Sequence, residues 1–261
     1  MLRRTSDTGT GEQRGTTSRG QGLRICVCVL ALLTARVPAA ADRGSQAASP
    51  GGRPALEAAA ALVQQGRLAE ADRQARRALA DPETRAVAHS ILGTIRVQQN
   101  RLDESVTLLR EAIRLEPRLV GAQLTLAQVY TLQNRHDLAL ARFRAVLDLD
   151  PGNPSARLAL ARSEVEKGNY AQALTLTAPV HDALRGSAEG LYVIAAALLK
   201  TGKREEAARL AADWNRLPDI PQAASMAFGL LLVQGGAIDE GIAMIERAKP
   251  AGPPSYDVAF N

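Results

Sequence analysis

The chain has 261 residues, 46% hydrophobic, 23% charged and only 3% aromatic, enough length and apolar content to bury a sizeable core. Its net charge of +5 suggests nucleic acid or an anionic surface, but residues 1–41 carry six Arg against two acids and hold +4 of it. From Asp42 onward 26 basic residues interleave with 25 acidic ones, a solvated mixed-sign surface that argues against a phosphate-tracking partner.

Residues 1–41 read as a signal peptide with an extended leading region. Met1 to Gln21 is polar and aperiodic; Arg24 then precedes an apolar run, Ile25 to Leu33, and the small-residue site Ala39-Ala40-Ala41. Basic region, short apolar core and small residues together predict export, with cleavage near Ala39 or Ala41. The run is about half of the ~20 residues a membrane-crossing helix needs, so no stable span is expected. Asp7 and Glu12 are unusual in such a leader, which a start codon further downstream would explain, and Arg3-Arg4 lacks the apolar residues a twin-arginine signal carries. Cys26 and Cys28 both fall inside the leader with no lipobox around them, leaving a cysteine-free chain suited to an oxidising compartment. The expected location is periplasmic or secreted. Residues 42–52 form a Gly/Ser/Pro-bearing linker.

Beyond the linker the sequence repeats. In Val120 to Pro151, Leu126, Ala127 and Tyr130 stand at i, i+1 and i+4 on one helical face. Asn134 marks a corner that tolerates left-handed backbone. Ala139, Phe143 and Val146 form the inner stripe of a second helix, and Pro151 stops it. Thirty-four residues earlier come Leu92, Gly93, Asn100, Ser105, Leu109, Ala112 and Pro117. Units starting at Gly52, Ala86, Val120, Pro154, Ala188 and Gln222 keep this register. Place 8 is Ala59, Gly93, Ala127, Ala161, Ala195 and Gly229; place 20 is Ala71, Ser105, Ala139, Ala173, Ala207 and Gly241; the corner is Gly66, Asn100, Asn134, Gly168, Gly202 and Gly236. Small residues in fixed columns are what two closely approaching helices require.

The pattern resembles the tetratricopeptide repeat family. That resemblance implies an all-α fold: a right-handed solenoid of about twelve helices in six helix-turn-helix repeats over residues 53–254, with a short tail at 255–261. The first repeat is Ala-heavy, as end repeats often are. In the fourth, Pro179 predicts a second helix that kinks or ends by Thr177, and Arg185 stands where the closing proline belongs. In the fifth, Trp214 occupies an alanine column and must fill space or displace the next unit. After Pro253-Pro254 seven residues remain, too few for a capping helix. Ile242 and Ile245 are therefore expected at an uncapped end that allows a homodimer.

Chemistry-bearing motifs are absent. His89, His136 and His181 lie one per repeat without a second ligand at i+3 or i+4. No nucleophile elbow, phosphate loop or HExxH helix occurs, and Lys200-Thr201-Gly202-Lys203 is accounted for by the corner at Gly202. Glu164/Glu166 and Glu205/Glu206 read as solvent-facing. No catalytic, cofactor or metal residue is assigned, and the chain is expected not to be an enzyme. The resemblance implies that first helices line a concave groove. Its expected peptide-contacting residues are Leu124, Gln128, Leu158, Arg162, Tyr192, Leu199, Met226, Leu230 and Val233. Place 5 is Leu56, Ser90, Leu124, Leu158, Tyr192 and Met226, so the carboxylate clamp of chaperone-binding members is missing. An apolar groove suits an amphipathic helix or extended peptide. The expected function is a non-enzymatic interaction scaffold of the bacterial cell envelope with a protein or peptide partner. An accessory subunit of a pilus, secretion or polysaccharide-export machine is the alternative. An RNA-binding helical repeat fits less well, because basic and aromatic residues are scarce.

Overall fold

The computed structural model describes residues 51–248. The leader 1–41 with its cleavage site, most of the linker 42–52 and the tail 255–261 lie outside the described residues. So do residues 249–254, expected to complete the array.

Six helical hairpins follow one another, and among the described residues there is no strand. The first helices are α1 (Gly52–Gln64), α3 (Arg85–Gln98), α5 (Val120–Leu132), α7 (Pro154–Glu166), α10 (Ala188–Lys200) and α12 (Gln222–Gln234). Second helices are α2 (Leu68–Ala78), α4 (Leu102–Leu115), α6 (His136–Leu149), α8 (Tyr170–Thr177), α11 (Arg204–Trp214) and α13 (Ile238–Arg247). A four-residue helix, α9 (His181–Leu184), completes the fourth unit. Every second helix begins 34 residues after the one before it. The sequence period is thus a structural period.

Each corner turns through left-handed backbone. Gly66, Asn100, Asn134, Gly168, Gly202 and Gly236 have φ between 57° and 89°. The hydrogen bonds are the same six times: in the third repeat Asn134 N–H donates to Thr131 O (3.0 Å) and Arg135 N–H to Tyr130 O (2.8 Å). This Schellman pairing satisfies carbonyls that a helix end leaves unpartnered. The next helix starts at once, so each hairpin is tight and antiparallel.

Close approach of the hairpin helices rests on the small residues at places 8 and 20, all of which are buried. A Cβ added to Gly93 would meet Leu109 Cγ at 2.7 Å, and one added to Gly241 would meet Gly229 O at 2.6 Å. Larger side chains cannot enter these columns without separating the helices. Neighbouring first helices also touch along the array, α1 with α3, α3 with α5, α7 with α10 and α10 with α12, whereas of the second helices α11 and α13 alone meet comparably. Tighter spacing on the first-helix side curves the solenoid with those helices inward.

The fourth repeat is irregular for the expected reason. Helix α8 ends at Thr177, a 3-10 turn spans Ala178–Val180, and α9 resumes the path. Proline at 179 offers no N–H to the preceding turn, and two arginines tie down the exposed end. Arg157 of α7 donates to Leu176 O (3.0 Å) and Pro151 O (2.6 Å). Arg185, where the closing proline would be, grips Asp213 of α11 through two bonds of 2.8 Å. A bidentate arginine thus replaces a ring as the brace between repeats four and five. The joint to the sixth repeat is aromatic: Trp214 stacks on Phe228 of α12 with centroids 4.2 Å apart. The extra ring fills that joint, followed by a longer loop at 215–221 in which Asp219 takes φ 51°.

Candidate functional site

The inner face is built by first helices, but only part of it is open. Leu124 and Leu158, expected in the groove, are each 8% exposed and belong to the core, where flanking helices cover them. Leu199 is likewise buried; a Cβ on Gly235 would lie 2.5 Å from its Cδ2. Val233 is half-buried, its Cγ2 pressed on Gly241, and Gln128 is half-buried on α5. These five residues serve packing more than access, because curvature brings neighbouring helices over them.

Three of the nine remain open and apolar: Tyr192 (42% exposed) on α10 and Met226 (37%) and Leu230 (48%) on α12. Phe228, fully buried behind them, supports the Tyr192 ring at a centroid distance of 6.5 Å and a tilt of 52°. Trp214 stacks on the other side of Phe228. Tyr192 therefore stands on a stack of rings that links α10, α11 and α12. An exposed ring held by buried rings loses little entropy when it packs against another molecule.

Arg162 is not a free groove cation. Its Nη1 donates to Glu189 Oε1 at 2.6 Å across the boundary between repeats four and five, and its Nε lies 4.0 Å from Glu166. The cluster borders the Tyr192 face on the α7 side with two carboxylates around one guanidinium. Glu189 is four residues after Arg185 and stands at the second place of its unit; only the stacking of α10 on α7 brings it to Arg162.

Other expectations need correction. Glu164 is not turned to solvent: its side chain is 15% exposed and accepts from Asn169 Nδ2 (2.8 Å) and Lys167 Nζ (3.1 Å). The Asn169 bond, then the Lys167 bond, hold its carboxyl below the usual range. Glu166, Glu205 and Glu206 are exposed as read. His89 is half-buried with Nδ1 enclosed and unpartnered, and burial pushes its pKa down. Among the described residues no group of three His, Cys, Asp or Glu could hold a metal ion, and no helix is long and apolar enough to cross a membrane.

One feature escaped the sequence reading. Arg96 on α3 is 6% exposed and donates to Asp72 of α2 at 2.6 Å and to Gln99, with Glu104 of α4 at 3.4 Å. Arg96 takes the column where Tyr130 stands in the third repeat, and a charge in a buried column is the signal that would have revealed the pair. Burial pushes Asp72 up, but bonds from Arg76 and Arg96 outweigh it and leave its pKa lowered.

Stacked antiparallel hairpins with a left-handed corner and an inner face of first helices define an α-solenoid scaffold. Two tetratricopeptide-repeat family models match, one over residues 131–180 and the other over 56–119 and again over 92–154. The chain belongs to the tetratricopeptide repeat family. Members of that family are generally non-enzymatic scaffolds for protein–protein interaction. No curated protein matches the sequence. Among solved structures, a tetratricopeptide repeat protein from Parabacteroides merdae is similar at 18% identity and a TM-score of 0.57, over 77% of this chain and 81% of that one. Pseudomonas aeruginosa pilF is similar at 16% identity and 0.64, over 76% and 88%. YrrB, a repeat protein described as having an unusual peptide-binding site, is similar at 19% and 0.51, over 72% and 92%. At these identities the likeness concerns the fold alone.

Proposed function

We propose that this protein is a non-enzymatic scaffold of the bacterial cell envelope, delivered there by residues 1–41. In this reading it holds a partner's amphipathic helix or extended apolar peptide against α10 and α12. The observation that carries it is the exposure of Tyr192, Met226 and Leu230 on two adjacent first helices, above buried rings. Rings contribute area at low entropic cost and Met adapts its shape, so this composition favours a protein surface as ligand. The Arg162–Glu189 pair borders the face and gives polar orientation at its edge. The leader motif supports the envelope location, and the near-neutral remainder of the chain speaks against RNA.

Panning a displayed peptide library against the purified protein tests the groove. Selected peptides are expected to carry two or more large apolar residues and to lose about 1–2 kcal/mol or more of affinity on Tyr192→Ala, with unchanged helicity. Full affinity in both Tyr192→Ala and Leu230→Asp would place binding elsewhere. Fractionating cells that express the chain with and without residues 1–41 tests location separately; equal cytoplasmic retention of both forms would end the envelope reading.

A further inference from the structure

Helix α12 is apolar on every side, yet one side is bare. Its thirteen residues, Gln222 to Gln234, carry no charge, and a helix of that composition is ordinarily covered all round. Phe228 and Leu232 are fully buried, and Gly229 lies against Ile245 of α13. The opposite stripe, Ala223, Met226, Ala227 and Leu230, is exposed. Successive residues turn by ~100° on a helix, which puts these four within an arc of ~100°. The two alanines lie on the side of the stripe nearer Phe228, the ring that supports Tyr192. They form the floor of a channel with Tyr192 of α10 along one edge and Met226 and Leu230 along the other.

On the reading that this face takes a partner, we infer that the partner segment is an α-helix and not an extended chain, amphipathic and basic along the edge that meets Glu189. Backbone chemistry decides between the two forms. An extended segment lying in the channel would turn N–H and C=O groups to both of its walls, and buried groups of that kind need partners. The channel has almost none to offer. Ala223, Met226, Ala227 and Leu230 hold no N–H, O–H or C=O group in their side chains, the Tyr192 hydroxyl is a single group at one edge, and the helix backbones are spent on their own bonds. A helix arrives with its backbone bonded internally, so it presents only side chains to an apolar channel. Shape agrees: a floor of small residues between larger ones is the groove that receives a ridge of i, i+4 side chains from a second helix. Charge sets the rest. Glu189 stands three residues before Tyr192 on α10, one turn along the same face. It shares Arg162 with Glu166, two carboxylates to one guanidinium, so this edge keeps an excess of negative charge. A lysine or arginine on the flank of the partner helix answers it.

Two displayed libraries of about 16 residues, enough for four turns, separate the occupants when panned on the purified full chain. One has a helix-forming Ala/Glu/Lys background randomised along one face; the other has the same length and a central proline pair. The first is expected to give binders with Lys or Arg beside the apolar stripe, which gain helicity on binding by circular dichroism. A central proline should weaken a selected helix roughly a hundredfold. Ala227→Gln, which fills the floor at an exposed site and leaves the array's helicity intact, should weaken it roughly tenfold or more. Glu189→Gln is expected to weaken binders with a basic flank and to flatten their salt dependence; unchanged salt dependence would overturn the basic flank. Binders that keep full affinity with the central proline, or that come only from the proline library, yet are lost in Tyr192→Ala, make the occupant an extended chain. That result overturns the helix and leaves the face in place. Binders indifferent to Tyr192→Ala and Leu230→Asp, or none from either library, remove the face itself and the helix with it.

Discussion

Trp214 lies nearly flat on Phe228, the ring planes 9° from parallel, and its indole N–H donates to Ser225 Oγ at 3.1 Å. Through this contact the end of α11 holds α12, using a side chain at a column that elsewhere takes alanine or valine. Trp214→Ala is expected to cost ~3–5 kcal/mol and to make the last hairpin melt before the rest. Trp214→Phe should keep the stack and lose only the hydrogen bond, ~1 kcal/mol. Thermal melts followed by circular dichroism separate the two; equal losses would mean that the ring packing contributes nothing specific.

Ala139 is 3% exposed in the contact between α5 and α6. Ala139→Leu should cost ~1–3 kcal/mol by overpacking. The control belongs at Arg144, which is exposed, and not at Arg142, which is half-buried and donates to Gln123 (3.3 Å). Chemical denaturation of Ala139→Leu and Arg144→Leu with similar midpoints would show that the faces are wrongly assigned.

At Gly168 φ is +83° and no atom lies within 4 Å of an added Cβ. A substitution there meets backbone strain without a clash. Gly168→Ala should destabilise by ~1–2 kcal/mol, and Gly168→Asn by less, since asparagine already turns two of the six corners in this chain. Urea midpoints of the pair decide this, and an alanine variant as stable as the parent would contradict the strained corner.

The buried Arg96 gives the first repeat a pH dependence. Asp72, bonded to Arg76 and Arg96, has a lowered pKa in the fold. A carboxylate of that kind stabilises fully above the unfolded aspartate value of about 3.9 and loses the contribution as pH falls through its lower folded value. The facing groups are Arg76 on its own helix, Arg96 on α3 and, beyond it, Glu104 on α4. Stability of the parent should therefore drop more steeply on acidification in this range than that of Asp72→Asn, which is less stable near neutrality because Arg96 is left buried without its carboxylate. Parallel acid limbs in the two proteins would remove Asp72 from the linkage.

The hairpins were legible in the sequence because their determinants are local and recur. A glycine or asparagine at each corner answers a backbone angle that other residues resist, and a small residue at places 8 and 20 answers a separation between two helices joined by three residues. Neither depends on how repeats stack, so the 34-residue register located all six turns and the buried columns, and Pro179 located the end of α8. Access to the inner face is a different matter. Leu124 and Leu158 stand at the same place of their units as Tyr192 and Met226, and sequence offers no means to tell them apart. Tertiary structure does, because exposure at a given place depends on how closely the next helix approaches, and that approach is set by side chains from other repeats: Trp214 and Phe228 at the last joint, the Arg185–Asp213 brace before it, and Arg162 paired with Glu189 across the boundary. Only when those distant residues are packed together does the inner face reduce to Tyr192, Met226 and Leu230.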